Sequence, residues 1–323
     1  MRLLLRAVVL AAVMALGITS GTAQAAYPGP GLVTGDVTVH DPSMVRTPSG
    51  YLLYSTHDRV QTRSSPDRTA FTRLSGAFNR VPAWVYLYNP SGDIWAPDVS
   101  YHNGKYWMYY SVSTFGSNRS AIGLATSPTG LPGSWTDHGI VIRSSTSDNF
   151  NAIDPALFVD PATGRWWLTF GSHWSGIYMI LIDSKTGKQS STDSRRYHLA
   201  RRPNAPNAIE APYIVARGGY YYLFVSFDAC CKGTSSTYRI MVGRSPSVTG
   251  PYVDRSGRRL LDGGGTQILG THGNVIGPGG QSVLRDVDGD LLVYHYYDRA
   301  ANGRERLGVN LIGYDAQGWP YVY

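Results

Sequence analysis

Three acidic residues stand beside prolines at widely separated points of the sequence. Asp41 and Asp154 each directly precede a proline, and Glu210 stands two residues before one. Alone, an Asp-Pro pair marks a strand entry or a turn. Gathered at one place, three carboxyls could do acid–base chemistry. Two of them ~6 Å apart repel by about 3 kcal/mol at an effective dielectric of ~20. That lifts the pKa of whichever group yields by about two units. A glutamic acid raised toward ~6 suits a general acid near neutral pH while its neighbours stay ionised. Separated acid and base carboxyls are the equipment of glycoside hydrolysis.

What would gather them is a repeat. The runs His40-Asp41-Pro42-Ser43-Met44-Val45, Trp95-Ala96-Pro97-Asp98-Val99, Ile153-Asp154-Pro155-Ala156-Leu157-Phe158 and Glu210-Ala211-Pro212-Tyr213-Ile214-Val215 share one pattern, and their prolines recur at 55, 58 and 57 residues. Gly277-Pro278-Gly279-Gly280-Gln281-Ser282-Val283 is a weaker fifth copy. Each leads through a turn signal (Pro48-Ser49-Gly50, Asn103-Gly104, Asp160 to Gly164, Arg217-Gly218-Gly219, Asp288-Gly289) into an aromatic-rich strand, which is hairpin chemistry. Further short strands follow, as in Ala121–Ala125 and Arg239–Gly243. A period of this length with four short strands predicts an all-β, five-bladed β-propeller with its site at one mouth of the central channel. Innermost strands line that channel, so residues at one phase of the repeat share one depth. Asp98 follows its proline and is expected to point elsewhere.

Composition agrees. With 37 Gly, 19 Pro and 23 Tyr among 323 residues, and only 16% charged, the chain is neither a coiled coil nor a disordered tail. Residues 1–26 read as a signal peptide, with Arg2 and Arg6, an apolar run from Ala7 to Leu16 and the small-x-small site Ala23-Gln24-Ala25. The apolar run falls short of the ~20 residues of a membrane span. A secreted domain over 27–323 is expected, with no membrane partner. The formal charge of +7 is spread over isolated arginine pairs, without the basic stripe that nucleic acid requires. The two cysteines, Cys230 and Cys231, are adjacent, so their only intrachain bridge is the vicinal one.

At these residues the chain resembles the glycoside hydrolase family 43 arabinanases of the endo-1,5-α-L-arabinanase type. Matching runs include His40-Asp41-Pro42, Trp95 to Asp98, Tyr109 to Gly116, Ser147 to Pro155, Phe170 to Gly176, Pro206 to Pro212, Phe227 to Cys231 and Ser236 to Tyr238. The resemblance implies inverting hydrolysis of arabinan, as found in plant cell walls and pectin side chains. It implies Asp41 as general base, Glu210 as general acid, and Asp154 as the residue that tunes the acid and holds the sugar. It places Asn151, Ser172, His173 and Trp174 along the substrate, with Trp95 and Phe115 as stacking platforms. Relatives often hold a calcium ion through a histidine after Gly-Pro-Gly. Here that position is Gly280, leaving Gln281 or His272 to compensate, so the metal ligands stay unknown and no cofactor is required by the sequence. His295 is expected to be a hydrogen-bonded histidine of an inner strand. A monomer is expected. The alternatives are an exo-acting arabinofuranosidase or β-xylosidase on the same scaffold, and a carbohydrate-binding propeller without turnover.

Overall fold

The computed structural model describes residues 27–204 and 207–323; the expected signal peptide lies outside them. Five sheets follow one another along the chain, each built from consecutive strands and antiparallel except where Thr34–Gly35 joins the first in parallel. Their innermost strands are Ser43–Thr47, Trp95–His102, Ala156–Val159, Ile209–Arg217 and Val275–Asp286. This is the five-bladed propeller. The expected turn signals join each inner strand to the second. At Asn103 and Gly104 both φ angles are positive, 52° and 78°, as a two-residue hairpin turn matched to strand twist needs.

Apolar side chains on alternate strand positions fill the spaces between blades. Five core clusters correspond to five interfaces: Val45, Leu52 and Met108 lie between blades one and two, for example, and Met44, Leu53, Val293 and Leu307 between blades one and five. The lead-in segment closes the ring. Gly31 N–H donates to Val309 O and Leu307 N–H to Val37 O, while Thr34–Gly35 pairs with the outer strand Ala70–Arg73. A second closure is polar. Tyr51 and Arg68 of blade one bind the Asp286 carboxylate, whose side chain is fully buried.

Strand register corrects the phase of the fifth copy. Trp95 faces Ser111 and Asp98 faces Tyr109, with two residues opposite one between them; Glu210/Ser226 and Tyr213/Phe224 repeat this, and so do Gly279/His295 and Ser282/Val293. The counterpart of the repeated proline is therefore Gln281, not Pro278. His295 accordingly belongs to the second strand of its blade, Gly289–Asp298, not to the inner one.

Candidate active site

At one equivalent place in each blade, in or just before the inner strand, the backbone is left-handed: Asp41 (φ 49°), Ala96 (39°), Asp154 (56°), Ala211 (50°) and Gly280 (57°). Positive φ is uncommon outside glycine and gathers at functional sites. These five residues line one small axial cavity of about 30 Å³, room for a water or two.

Their backbone N–H groups form a ring of cross-blade hydrogen bonds. Ala96 donates to Thr56 Oγ1, Asp154 to Ser111 Oγ, Gly280 to Ser226 Oγ and Asp41 to His295 Nδ1. Each acceptor comes from the second strand of the preceding blade or its end. In blade three that place is Gly171, which has no side chain to offer. There the N–H of Ala211 is taken by Asp154 Oδ2 at 3.1 Å. The missing side chain and the position of a central carboxylate are thus one feature.

Asp41 is held at one oxygen. His40 Nδ1 (2.8 Å) and Thr56 Oγ1 (2.7 Å) both donate to its Oδ2. Oδ1 accepts no hydrogen bond among the described residues and lies over Gly280, where a Cβ would come within 2.5 Å of it. Burial works to raise the Asp41 pKa, but the His40 charge and hydrogen bond, with His295 and Thr56, hold it well below the usual carboxylate range. Burial likewise opposes a charge on His40, and the Asp41 carboxylate overrides it, raising the imidazole's pKa. His295, stacked on His40 at 3.8 Å between centroids, is kept neutral by burial first and the neighbouring His40 second.

Glu210 is buried and receives hydroxyls at both oxygens, Tyr238 at Oε1 and Ser172 at Oε2 (2.6 Å). His173 Nδ1 lies 3.5 Å from Oε2, and that hydrogen bond raises the His173 pKa. The strongly raised carboxyl of the trio is Asp154, through burial first, then the charges of Glu210 and Asp41. Electrostatic coupling thus joins all three acids at one end of the channel. Asp154 has one backbone donor, the Ala211 N–H, whereas Glu210 has two hydroxyls. Asp98 points away, as expected: it is buried between blades, accepts Leu157 N–H at 2.7 Å, and is pushed up to about 7 by that burial.

The other expected residues occupy the loops at the same end. Phe115 is 82% exposed after the second strand of blade two. Trp95 anchors its indole N–H on Asp93 Oδ2. Asn151 is buried and accepts Ser120 Oγ through Oδ1. His173 and Trp174 have positive φ of 53° and 40°, and the Trp174 carbonyl accepts Asn207 Nδ2. Ser172 serves Glu210 directly. Thr56, Tyr238 and the role of His40 were not singled out from the sequence. The available signal was phase: Thr56, Ser111, Ser226 and His295 occupy equivalent second-strand places.

Calcium takes six to eight oxygen ligands. Near Gly280 the protein offers one carboxylate and two imidazoles, those of Asp41, His40 and His295, already hydrogen-bonded to one another. Gln281 spends its amide on Ser226 and the Ala211 carbonyl, and His272 bonds Gly270 O. Neither compensates. The residues present fit calcium poorly.

Residues 33–320 match the family described as glycosyl hydrolases family 43. The chain is 45% identical over 288 residues to extracellular endo-α-(1→5)-L-arabinanase 1 of Bacillus subtilis, covering 87% of each chain. Among solved structures it is similar to an endo-arabinanase from Bacillus licheniformis (TM-score 0.85, 44% identity, 90% of this chain and 99% of that one). It is also similar to an exo-1,5-α-L-arabinanase from a bovine ruminal metagenomic library (TM-score 0.84, 42% identity, 90% and 99%).

Proposed function

The chain belongs to glycosyl hydrolases family 43, and on that footing we propose that it is a secreted endo-acting arabinanase, cutting internal α-1,5 links of arabinan by single displacement. The observation that carries the reading is three carboxyls whose charges act on one another in three different settings: Asp41 held ionised by His40 and Thr56, Asp154 raised by burial, Glu210 on paired hydroxyls.

Asp41 is the general base. Its Oδ2 is fixed by His40 and Thr56, which leaves Oδ1 to take a proton from water attacking the anomeric carbon. Glu210 is the general acid, oriented by Ser172 and Tyr238, and protonates the departing glycosidic oxygen. Asp154, whose pKa burial and the charges of Glu210 and Asp41 raise, tunes the acid through that mutual repulsion and holds the bound sugar. Trp95 and Phe115 supply apolar faces for furanose rings, and Asn151, His173 and Trp174 border the chain being cut. The working unit is the mature propeller over 27–323, acting as a monomer on plant cell-wall arabinan or pectin side chains, without nucleic-acid or membrane partners.

Inversion requires room for water, so the Asp41 and Glu210 carboxyls are expected roughly 6.5–9.5 Å apart. Proton NMR of the first product tests the mechanism: the inverted anomer is expected, and a retained one contradicts it. Product sizes from linear arabinan test the mode of attack. Mixed oligomers are expected, whereas arabinose alone would place the chain with the exo-acting relative.

A further inference from the structure

The vicinal disulfide sits against the imidazole that holds Asp41. Cys230 and Cys231 are bonded to each other in the loop after the second strand of blade four, Tyr220–Phe227, at the same end as the acids. Cys231 N–H donates to Tyr297 Oη at 2.7 Å. That hydroxyl meets His40 Nε2 at 3.0 Å, and Cys231 Sγ lies 3.7 Å from the same nitrogen. His40 Nδ1 holds Asp41. The sulfurs and the carboxylate therefore address two nitrogens of one ring.

As a disulfide, the two sulfurs carry neither charge nor proton and are poor ligands. A phosphine or a dithiol can transfer two electrons to the bond, which with two protons becomes two thiols; the reductant leaves as phosphine oxide or as its own disulfide. Two thiolates and an imidazole nitrogen are a donor set that zinc and cadmium favour. Around one zinc, with bonds of ~2.3 Å to sulfur and ~2.0 Å to nitrogen, such atoms stand about 3.5–3.8 Å apart. Here the three candidate atoms lie within 4.8 Å of one another. Opening the S–S bond and rotating side chains on an accessible loop suffices to reach that spacing.

We propose that the reduced chain carries a soft-metal site, made of the Cys230 and Cys231 thiolates and His40 Nε2, which takes one zinc or cadmium ion and releases the two thiol protons. The ion displaces Tyr297 from Nε2, pins the ring, and sets a dication beside Asp41, so turnover stops. That last consequence rests on reading Asp41 as the base; the binding itself does not.

The mature protein, reduced with a phosphine and desalted without oxygen, is titrated with cadmium chloride while the ultraviolet thiolate–cadmium charge-transfer band is followed. One ion per chain is expected in the reduced protein and no band in the oxidised protein, which needs no mutation as a control. Cys230→Ser/Cys231→Ser is expected to lose the band, and His40→Ala to weaken binding at least tenfold. Activity of the reduced protein is expected to fall at least tenfold with one equivalent of metal and to return with a chelator. Absence of the band after verified reduction overturns the site, as does cadmium affinity unchanged in His40→Ala. Binding without loss of turnover overturns the inhibitory consequence and leaves the metal site standing.

Discussion

Asp41 has one oxygen anchored by His40 and Thr56 and the other without a hydrogen-bond donor among the described residues, so its charge state depends on those two neighbours. Asp41→Asn, Asp154→Asn and Glu210→Gln are each expected to lower kcat by about 10²–10⁴-fold, with circular dichroism unchanged. Tyr238→Phe removes one donor to Glu210 and is expected to reduce kcat about tenfold at constant KM. The pH profile follows from sign. A depressed Asp41 pKa keeps the base ionised well into acid, so activity survives below the usual carboxylate range. His40→Ala removes the charge that depresses it, and the acid limb of kcat/KM is expected to move up toward pH ~4. Sequence reading found the three acids because their types are rare beside in-phase prolines. It did not find Thr56, whose hydroxyl at the end of a second strand has meaning only once the adjoining blade is in place, or Tyr238, which meets Glu210 only when the strands of blade four pair.

Each blade sets a left-handed residue at the same place in or just before its inner strand, and four of the five are not glycine. The prolines that follow Asp41, Ala96, Asp154 and Ala211 made four entries legible. The fifth was read at Pro278 because the proline there is replaced by Gln281, whose amide instead bonds Ser226 and the Ala211 carbonyl. Gly280→Ala would set a Cβ within 2.5 Å of Asp41 Oδ1 and 2.6 Å of His295 at positive φ; the expected result is a larger loss of activity than of melting temperature. Between blades two and three, buried Asp98 keeps its proton up to about pH 7, whereas unfolded aspartate ionises near ~3.9. The folded state binds more protons across that window, so Asp98 makes stability fall as pH rises, by on the order of 3–4 kcal/mol. Denaturant titrations at several pH values are expected to show a flatter profile for Asp98→Asn between pH ~4 and ~7.

A propeller closes only if its last blade finds its first. Here closure uses the lead-in segment, the apolar cluster around Met44 and Val293, and the buried Asp286 carboxylate that receives Tyr51 and Arg68. Asp286→Ala leaves Tyr51 without its acceptor and Arg68 with Asp288 alone, and is expected to cost about 1–3 kcal/mol, read as a lower denaturation midpoint. Loss of activity should track unfolding in this variant, unlike the losses at the acids, because closure sets the radius at which all five strand entries meet.

The residues by themselves determined the number of blades, the hairpins and the identity of the three acids, since repeat period, turn chemistry and charge type are written in order along the chain. Only the folded arrangement decided that burial raises Asp154 while His40 holds Asp41 down, that Gly171 leaves Ala211 N–H to Asp154, and that a cysteine pair from blade four leans on a histidine of blade one. Those outcomes depend on burial and on distances across blade boundaries, and neither quantity exists before the ring is closed.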